Sequence, residues 1–406
     1  MKSLYKLSLF CIAVLLMVGC SSSENHMQQA QKLAQEFIIV DGHIDVPYRL
    51  KSNWQDISQK TESGDFDYPR AKKGGLDAPF MSIYIPARYQ KTGGAKAVAD
   101  SLIDMVKGIA TDNPDKFAIA NTPKEIKSQF NKGLISLPMG MENGAPIGDS
   151  LENVQYFFDR GIRYITLTHS KDNQISDSSY DTTANTHQGL SEFGMDVVNE
   201  MNRVGMMVDV SHITDQAFQD VIEITKAPVV ATHSSCRHFT PGFERNMSDE
   251  LIKELADNDG VIMINFGSTF LDSISQNSIE QVRNEIAQKL EEKGLKSGSK
   301  EAESFQRKYF QENFKFSTVE KVADHIDHVV ELVGVEHVGL GSDYDGVGPT
   351  LPTGLKDVST YPNLFKELLN RGYTKEDIQN IASGNIFRVW NKVIEVSKQM
   401  QTEQPQ

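Results

Sequence analysis

Short, nearly continuous apolar runs alternate along the chain with longer stretches whose apolar residues recur at helical spacing. The runs are Phe37–Val40, Met81–Ile85, Leu134–Met139, Tyr164–Thr168, Met206–Val210, Pro228–Ala231, Val261–Asn265 and Val338–Gly341. Each is short and bounded by Gly, Pro or polar residues, which predicts a buried strand. Between them, Ser150–Asp159, Glu192–Arg203 and Asp215–Thr225 predict helices, and Ser248 ahead of Glu250 and Leu251 predicts an N-cap. Strands alternating with helices predict parallel βα units, and eight strands is the number that closes a (β/α)8 TIM-like barrel. An open doubly wound sheet is the structural alternative. It would carry a Gly-rich phosphate loop after its first strand, and none follows Val40.

The pattern breaks in two places. Residues 271–316 are rich in Glu, Lys, Gln and Arg with sparse apolar positions, which predicts a solvated helical excursion between the seventh and eighth strands. At the N-terminus, Lys2 and Lys6 precede a mostly apolar stretch, Leu7–Val18, too short to span a bilayer as a mature helix. It ends in Met17-Val18-Gly19-Cys20, followed by Ser21-Ser22-Ser23-Glu24. This resembles a bacterial lipoprotein signal, with Met17 where such signals usually carry Leu. Residues 1–19 are then a signal peptide, Cys20 the lipidated first residue, and 20–30 a tether. Residues 31–398 form the catalytic barrel and 399–406 a polar tail. A lipid on Cys20 implies a membrane-anchored protein of the cell envelope, outside the cytoplasm, with no spanning helix.

Composition narrows the field. The 406 residues are 39% hydrophobic and 24% charged, an ordinary globular balance. Acidic residues outnumber basic ones 55 to 41, and loss of Lys2 and Lys6 with the signal moves the net charge from −14 to −16. So acidic a chain is not expected to bind nucleic acid, which needs a basic face. Of three cysteines, Cys11 leaves with the signal and Cys20 takes the lipid. Cys236 is left alone, so no internal disulfide can form.

Candidate chemistry collects just after the apolar runs. His43 and Asp45 follow the first; residues two apart in extended chain face one side, roughly 7 Å apart, so the pair can share a metal. Glu142 follows the third run, His169 the fourth, His212 the fifth, His233 the sixth and Asp343 the eighth. Ligand-type residues thus end six of eight expected strands, on the face where barrel active sites are built. Imidazole and carboxylate without thiolate suit zinc, and Cys236, three residues past His233, is read as an inert thiol. His325 and His328 are read as helix-face residues, and His187, His238 and His337 as loop residues.

From about Ile38 to beyond Trp390 the chain resembles the zinc-dependent membrane dipeptidase (renal dipeptidase) family of metal-dependent amidohydrolases. The resemblance rests on Asp41-Gly42-His43-x-Asp45, Ile165-Thr166-Leu167-Thr168-His169, Ser211-His212 and His233-Ser234-Ser235. It continues through Arg245-Asn246, Val322–His328 and Gly341–Val347. The departures are Ile44 where relatives commonly have Asn, Glu192 before Phe193-Gly194 where Pro is usual, and the long excursion. The resemblance implies a binuclear zinc hydrolase of dipeptides, including those with a C-terminal D-residue, and a homodimer as in many relatives. It implies that His43 and Asp45 bind one zinc and His212 and His233 the other, with Glu142 bridging and a hydroxide between the ions as nucleophile. It further assigns His169 to the oxyanion, Arg245 to the substrate carboxylate, and Asp343 to proton transfer, with Asp345 the second choice. Two other readings remain: an amidohydrolase of N-acyl amino acids or β-lactam-like rings, and a non-catalytic peptide-binding lipoprotein.

Overall fold

A computed structural model describes residues 25–403. The expected signal peptide, Cys20 and the first tether residues lie outside the described residues, as do 404–406. Eight strands form one parallel sheet: β1 (Ile39–Ile44), β2 (Leu76–Tyr84), β5 (Met139–Glu142), β6 (Ile162–Thr166), β7 (Met207–Asp209), β8 (Val230–Ser234), β9 (Val261–Ile264) and β10 (Val338–Leu340). β3 (Phe117–Ile119) and β4 (Ile135–Leu137) pair separately as a two-stranded sheet. The large sheet curls round so that β1 meets the end of β10. Asp45 N–H donates to the Tyr344 carbonyl (2.8 Å) and Asp343 N–H to that of His43 (3.0 Å). With helices between successive strands, this is the (β/α)8 barrel the pattern predicted.

Asp41 locks that seam. It is fully buried and accepts from the N–H groups of Ser342 (2.9 Å) and His43 (3.1 Å), and from the hydroxyls of Ser342 and Tyr361. One carboxylate therefore ties the first strand to the loop after the last.

Some boundaries moved. The third expected run, Leu134–Met139, is two strands, because Pro138 has no N–H to give a ladder. Its carbonyl takes Met81 N–H (2.8 Å), and the chain re-enters the barrel as β5. Gly140 of β5 has to be glycine: a Cβ there would lie 1.9 Å from the Tyr164 ring, which fills the barrel interior. Residues 25–36 are helical and bury Ala30, Leu33 and Ala34 in the main core, so the last part of the stretch expected as a tether, 25–30, is helical and Ala30 already belongs to the core. The last helix, Asn385–Glu403, runs into the expected polar tail and seats Trp390 and Val393 against Val40, Phe80 and Tyr164. None of the described helices is long and apolar enough to cross a membrane.

The helices Glu192–Val204, Asp215–Ile224 and Asp249–Asp257 start on Ser191, Thr214 and Ser248, whose side chains accept from the N–H three residues on. The excursion is a hairpin of two helices, Ser273–Glu292 and Lys300–Asn313. Its sparse apolar residues suffice for a small core of their own, Val282, Ile286 and Leu290 against Ala302, Phe310 and Phe314.

His325 is wholly buried in the helix Val319–Val333 and pins two loops together. Its Nδ1 accepts from Cys236 N–H (3.0 Å), so Nε2 carries the proton and donates to the Leu271 carbonyl (2.9 Å). Burial pushes this imidazole down to about 4. The unfolded chain then binds the extra proton, so the contribution is complete above about pH 6.5 and is lost as pH falls toward 4. Urea unfolding should show about 3 kcal/mol of stability disappearing over that window. A His325→Gln variant should lack this component; an unchanged pH dependence in the variant would contradict it.

Candidate metal centre

The eight strands aim their C-terminal ends into a cleft of about 990 Å³ lined by Asp45, Glu142, His169, His212 and Asp343, with Tyr48, Tyr84, Tyr180, Phe243 and Phe270 around them. His43 and His233 lie fully buried at its floor. All seven strand-end residues chosen from sequence therefore meet. His43, Glu142 and His233 lie within their strands, and the other four follow them.

Glu142 is the hub. Its Oε1 lies 3.1 Å from His212 Nε2, 3.3 Å from His233 Nε2 and 3.6 Å from His169 Nε2. Its Oε2 faces His43 Nε2 at 3.5 Å, and that nitrogen is 3.7 Å from Asp45 Oδ2. His43–Glu142–His233, Glu142–His169–His212 and His43–Asp45–Asp343 each bring three ligand atoms within 4.8 Å of one another. The sets overlap through His43 and Glu142.

Hydrogen bonds decide which ring nitrogens face inward. The Tyr164 hydroxyl donates to the Gly42 carbonyl (3.1 Å), so it accepts from His43 Nδ1–H (2.8 Å), and His43 Nε2 is left as a lone pair. Similarly, Thr232 Oγ1 donates to Asp209 Oδ2 (2.7 Å) and accepts from His233 Nδ1–H (2.9 Å). Asp209 is fully buried and also receives Thr166 Oγ1 (2.5 Å) and the N–H groups of Ser211 and Thr232. His212 Nε2 and His233 Nε2 point at one place, 2.9 Å apart. His43 Nε2 and Asp45 Oδ1 are buried without a hydrogen-bond partner. Buried lone pairs and carboxylates converging in this way fit a bound cation.

Electrostatics divides the four imidazoles: despite its burial, His43 is raised well above the usual range by Tyr164, Glu142 and Asp45, a preference that a cation among these groups would reverse, while the other three are lowered. Burial, with Arg245 close by, holds His212 and His233 well below the usual imidazole range, so both are neutral ligands. Burial raises Glu142, but His169, His43 and hydrogen bonds from His212 and His233 overcome it, and the carboxyl is held well below normal. Burial and the facing Asp45 push Asp343 well above the carboxylate range, and a cation held by Asp45 and Glu142 would offset that repulsion and leave Asp343 ionised.

The choice between Asp343 and Asp345 falls to geometry. Both have positive φ, 61° and 66°, so strand alternation does not reach them. Asp343 turns toward His43 and Asp45 and accepts from Asn265 Nδ2 (2.8 Å). Asp345 is occupied by Arg49 Nε (2.9 Å) and by Asp65, whose N–H it accepts (2.7 Å). Gly346 makes room for the pair: a Cβ would fall 2.0 Å from Asp343 Oδ1 and 2.2 Å from Asp45 Oδ2.

Arg245 is buried behind His233. Two of its N–H groups donate to Ser234 Oγ and the His233 carbonyl, both at 2.8 Å, and its Nε has no partner. Cys236 is fully buried against the His325 carbonyl and belongs to no ligand set. Sequence reading missed Tyr164, Asp209, Thr232 and Asn265. Asp209 left a trace, an acid inside the apolar run Met206–Val210; Tyr164 left none, since its partner His43 is 121 positions away.

Thr232→Val keeps the volume and removes the acceptor for His233 Nδ1–H. Competition titration with a chelator should show metal affinity about 10- to 100-fold lower. Wild-type affinity would mean that the Asp209–Thr232 chain does not set the His233 tautomer.

Fold and site define a (β/α)8 barrel enclosing a buried cluster of metal-ligand residues. The profile of the family described as Membrane dipeptidase (Peptidase family M19) matches residues 27–404. Dipeptidase verJ of Clonostachys rogersoniana is 33% identical over 391 residues, covering 93% of this chain and 89% of that protein. An uncharacterised dipeptidase of Schizosaccharomyces pombe is 31% identical over 379 residues, covering 89% and 82%. The crystal structure of the probable dipeptidase PvdM from Pseudomonas aeruginosa superposes with a TM-score of 0.79 at 25% identity, covering 92% of this chain and 99% of that one. The chain belongs to the membrane dipeptidase family of metallopeptidases.

Proposed function

We propose that the chain hydrolyses the single peptide bond of dipeptides, including those with a C-terminal D-residue, with two zinc ions in the cleft. One observation carries the reading: the two oxygens of Glu142 face different histidines, Oε2 toward His43 and Oε1 toward His212 and His233. A carboxylate so placed could bridge two cations; His43 and Asp45 would then help hold one, and His212 and His233 the other. The all-nitrogen-and-oxygen donor set suits zinc. When bound, the ions supply Lewis acidity and draw a nucleophile from water at neutral pH.

The chain's own residues do the rest. Arg245 has five N–H donors and spends two inside the protein, which leaves others for the substrate's free carboxylate. His169, neutral because burial lowers it, donates to the oxygen that becomes negative as the carbonyl is attacked. Asp343, steadied by Asn265, takes the proton from the attacking water and returns it to the leaving amine. Tyr84 and Tyr180 flank this region and exclude water from it. We also propose that a lipid on Cys20 holds the enzyme at a membrane of the cell envelope.

A panel of L,L- and L,D-dipeptides, N-acyl amino acids and β-lactams, run on zinc-loaded protein with metal analysis, tests the reading. Dipeptide turnover with about two ions per chain is expected. Absence of dipeptide cleavage would overturn it, and cleavage of N-acyl amino acids or β-lactams alone would favour the neighbouring amidohydrolase chemistry. Labelled fatty acid should enter the wild type and not Cys20→Ala; label in both would remove the anchor.

A further inference from the structure

The excursion does more than cover the barrel. The other strand-to-strand connections do not bring an inserted helical hairpin to the cleft, whereas the one between β9 and β10 sets the helix Ser273–Glu292 along one side of it. Gln276, Ile279, Glu280 and Arg283 of that helix line the cleft. Their spacing is one helical stripe, while Val282, Ile286 and Leu290 on another face pack against the second excursion helix. The root of the helix is fixed: Asp272 caps Ser275 N–H (2.7 Å), and Ser275 Oγ donates to the Lys315 carbonyl (2.6 Å). From Gln276 to Arg283 the stripe rises about 10 Å from that root.

Charge along this wall is unspent. Among the described residues lining the cleft, Arg283 is the one Lys or Arg, since Arg245 lies buried behind His233, and the exposed side chains of Arg283 and Glu280 have no hydrogen-bond or ion-pair partner among the described residues. Asp345 in the same cleft is paired with Arg49, and Asp45, Glu142 and Asp343 converge with the histidines of the metal-ligand cluster. The wall also has a side. It begins three residues after Phe270, whose ring lies 5.4 Å under the Arg245 guanidinium. If Arg245 holds the substrate's free carboxylate, the residue below the wall is the C-terminal one. At about 990 Å³ the cleft is as large as sites for drug-sized ligands, with room for a long side chain there.

We propose that Arg283 selects dipeptides whose C-terminal residue carries an acidic side chain, aspartyl or glutamyl. This rests on the dipeptidase reading above. Arg283 pairs with the side-chain carboxylate, and Glu280, one turn nearer the root, opposes it. Both side chains are exposed, so the preference is modest, about fivefold, and is screened by salt. Because it acts on bound substrate before and during reaction alike, it enters through KM.

Steady-state kinetics on alanyl-glutamate and alanyl-glutamine, isosteric apart from the charge, tests this with zinc-loaded enzyme at low and high salt. The wild type should favour the glutamate substrate about fivefold in kcat/KM at low salt, mostly through KM, with the ratio shrinking as salt rises. Arg283→Glu should invert the ratio and Glu280→Gln should raise it. Lys296→Glu, the same charge change in the hairpin's far turn, should preserve it. A wild-type ratio of one, a ratio unmoved by Arg283→Glu, or equal losses on both substrates would each overturn the proposal while leaving dipeptidase activity intact. If neither substrate nor any other dipeptide is cleaved, the dipeptidase reading itself fails.

Discussion

Glu142→Ala should abolish dipeptide hydrolysis, by about 10³-fold or more, and, if the proposed two ions bind, reduce them to one or none. Glu142 is 3% exposed and stands among four imidazoles, His43, His169, His212 and His233, within 3.6 Å. Without it, two divalent ions would rest on neutral histidines and the carboxylates of Asp45 and Asp343, with no bridging anion. The barrel seam is held elsewhere, by Asp41, so the variant should fold with near-wild-type circular dichroism. Glu142→Gln sharpens the test, because it fills the same volume but turns an amide N–H₂ toward ring lone pairs. Two retained ions with activity within tenfold of wild type in either variant would refute the bridging role.

Asp343→Asn should lower kcat by about 10²- to 10⁴-fold, the usual worth of a positioned proton carrier, with a smaller change in KM. Asparagine is the informative replacement because residue 343 has φ of 61°, a conformation Asn tolerates, so backbone strain does not confuse the result. It keeps an oxygen for the Asn265 amide and removes only the ability to accept and return a proton. Asp345→Asn should do the opposite. It weakens the buried contact to Arg49 and the bond the carboxylate accepts from Asp65 N–H, so it should lower Tm while kcat stays near wild type. Finding the large kcat loss at Asp345 and not at Asp343 would reverse the assignment.

The strand ends were readable because a barrel repeats one rule eight times. In an alternating βα chain a short apolar run reads as a buried strand, and a polar residue at its C-terminal end falls at the barrel mouth. That placed His43, Asp45, Glu142, His169, His212, His233 and Asp343 together without a structure. The rule fails wherever the backbone leaves the extended region. Asp343 and Asp345 looked equivalent by alternation, yet each sits at positive φ, and their partners, Asn265 after β9 and Arg49 in the helix Val46–Ser52, come from segments distant in sequence. Pro138 likewise divided one apolar run between two sheets, because a missing N–H is a local fact whose consequence depends on which strand lies alongside.

By itself, then, the chain's sequence determined the barrel, its eight strands and the residue types at its mouth, since periodicity and strand polarity are local properties. Only the tertiary structure decided how those residues divide the work. Ring tautomers came from Tyr164 and Thr232, the free carboxylate at 343 from Arg49 engaging its neighbour, and the charged wall over the cleft from the hairpin's docking. Even Thr232, next to His233 in the chain, is oriented by Asp209 23 positions away, and the other contacts span tens to hundreds of positions, so no local pattern encodes which of several polar neighbours a buried lone pair will find.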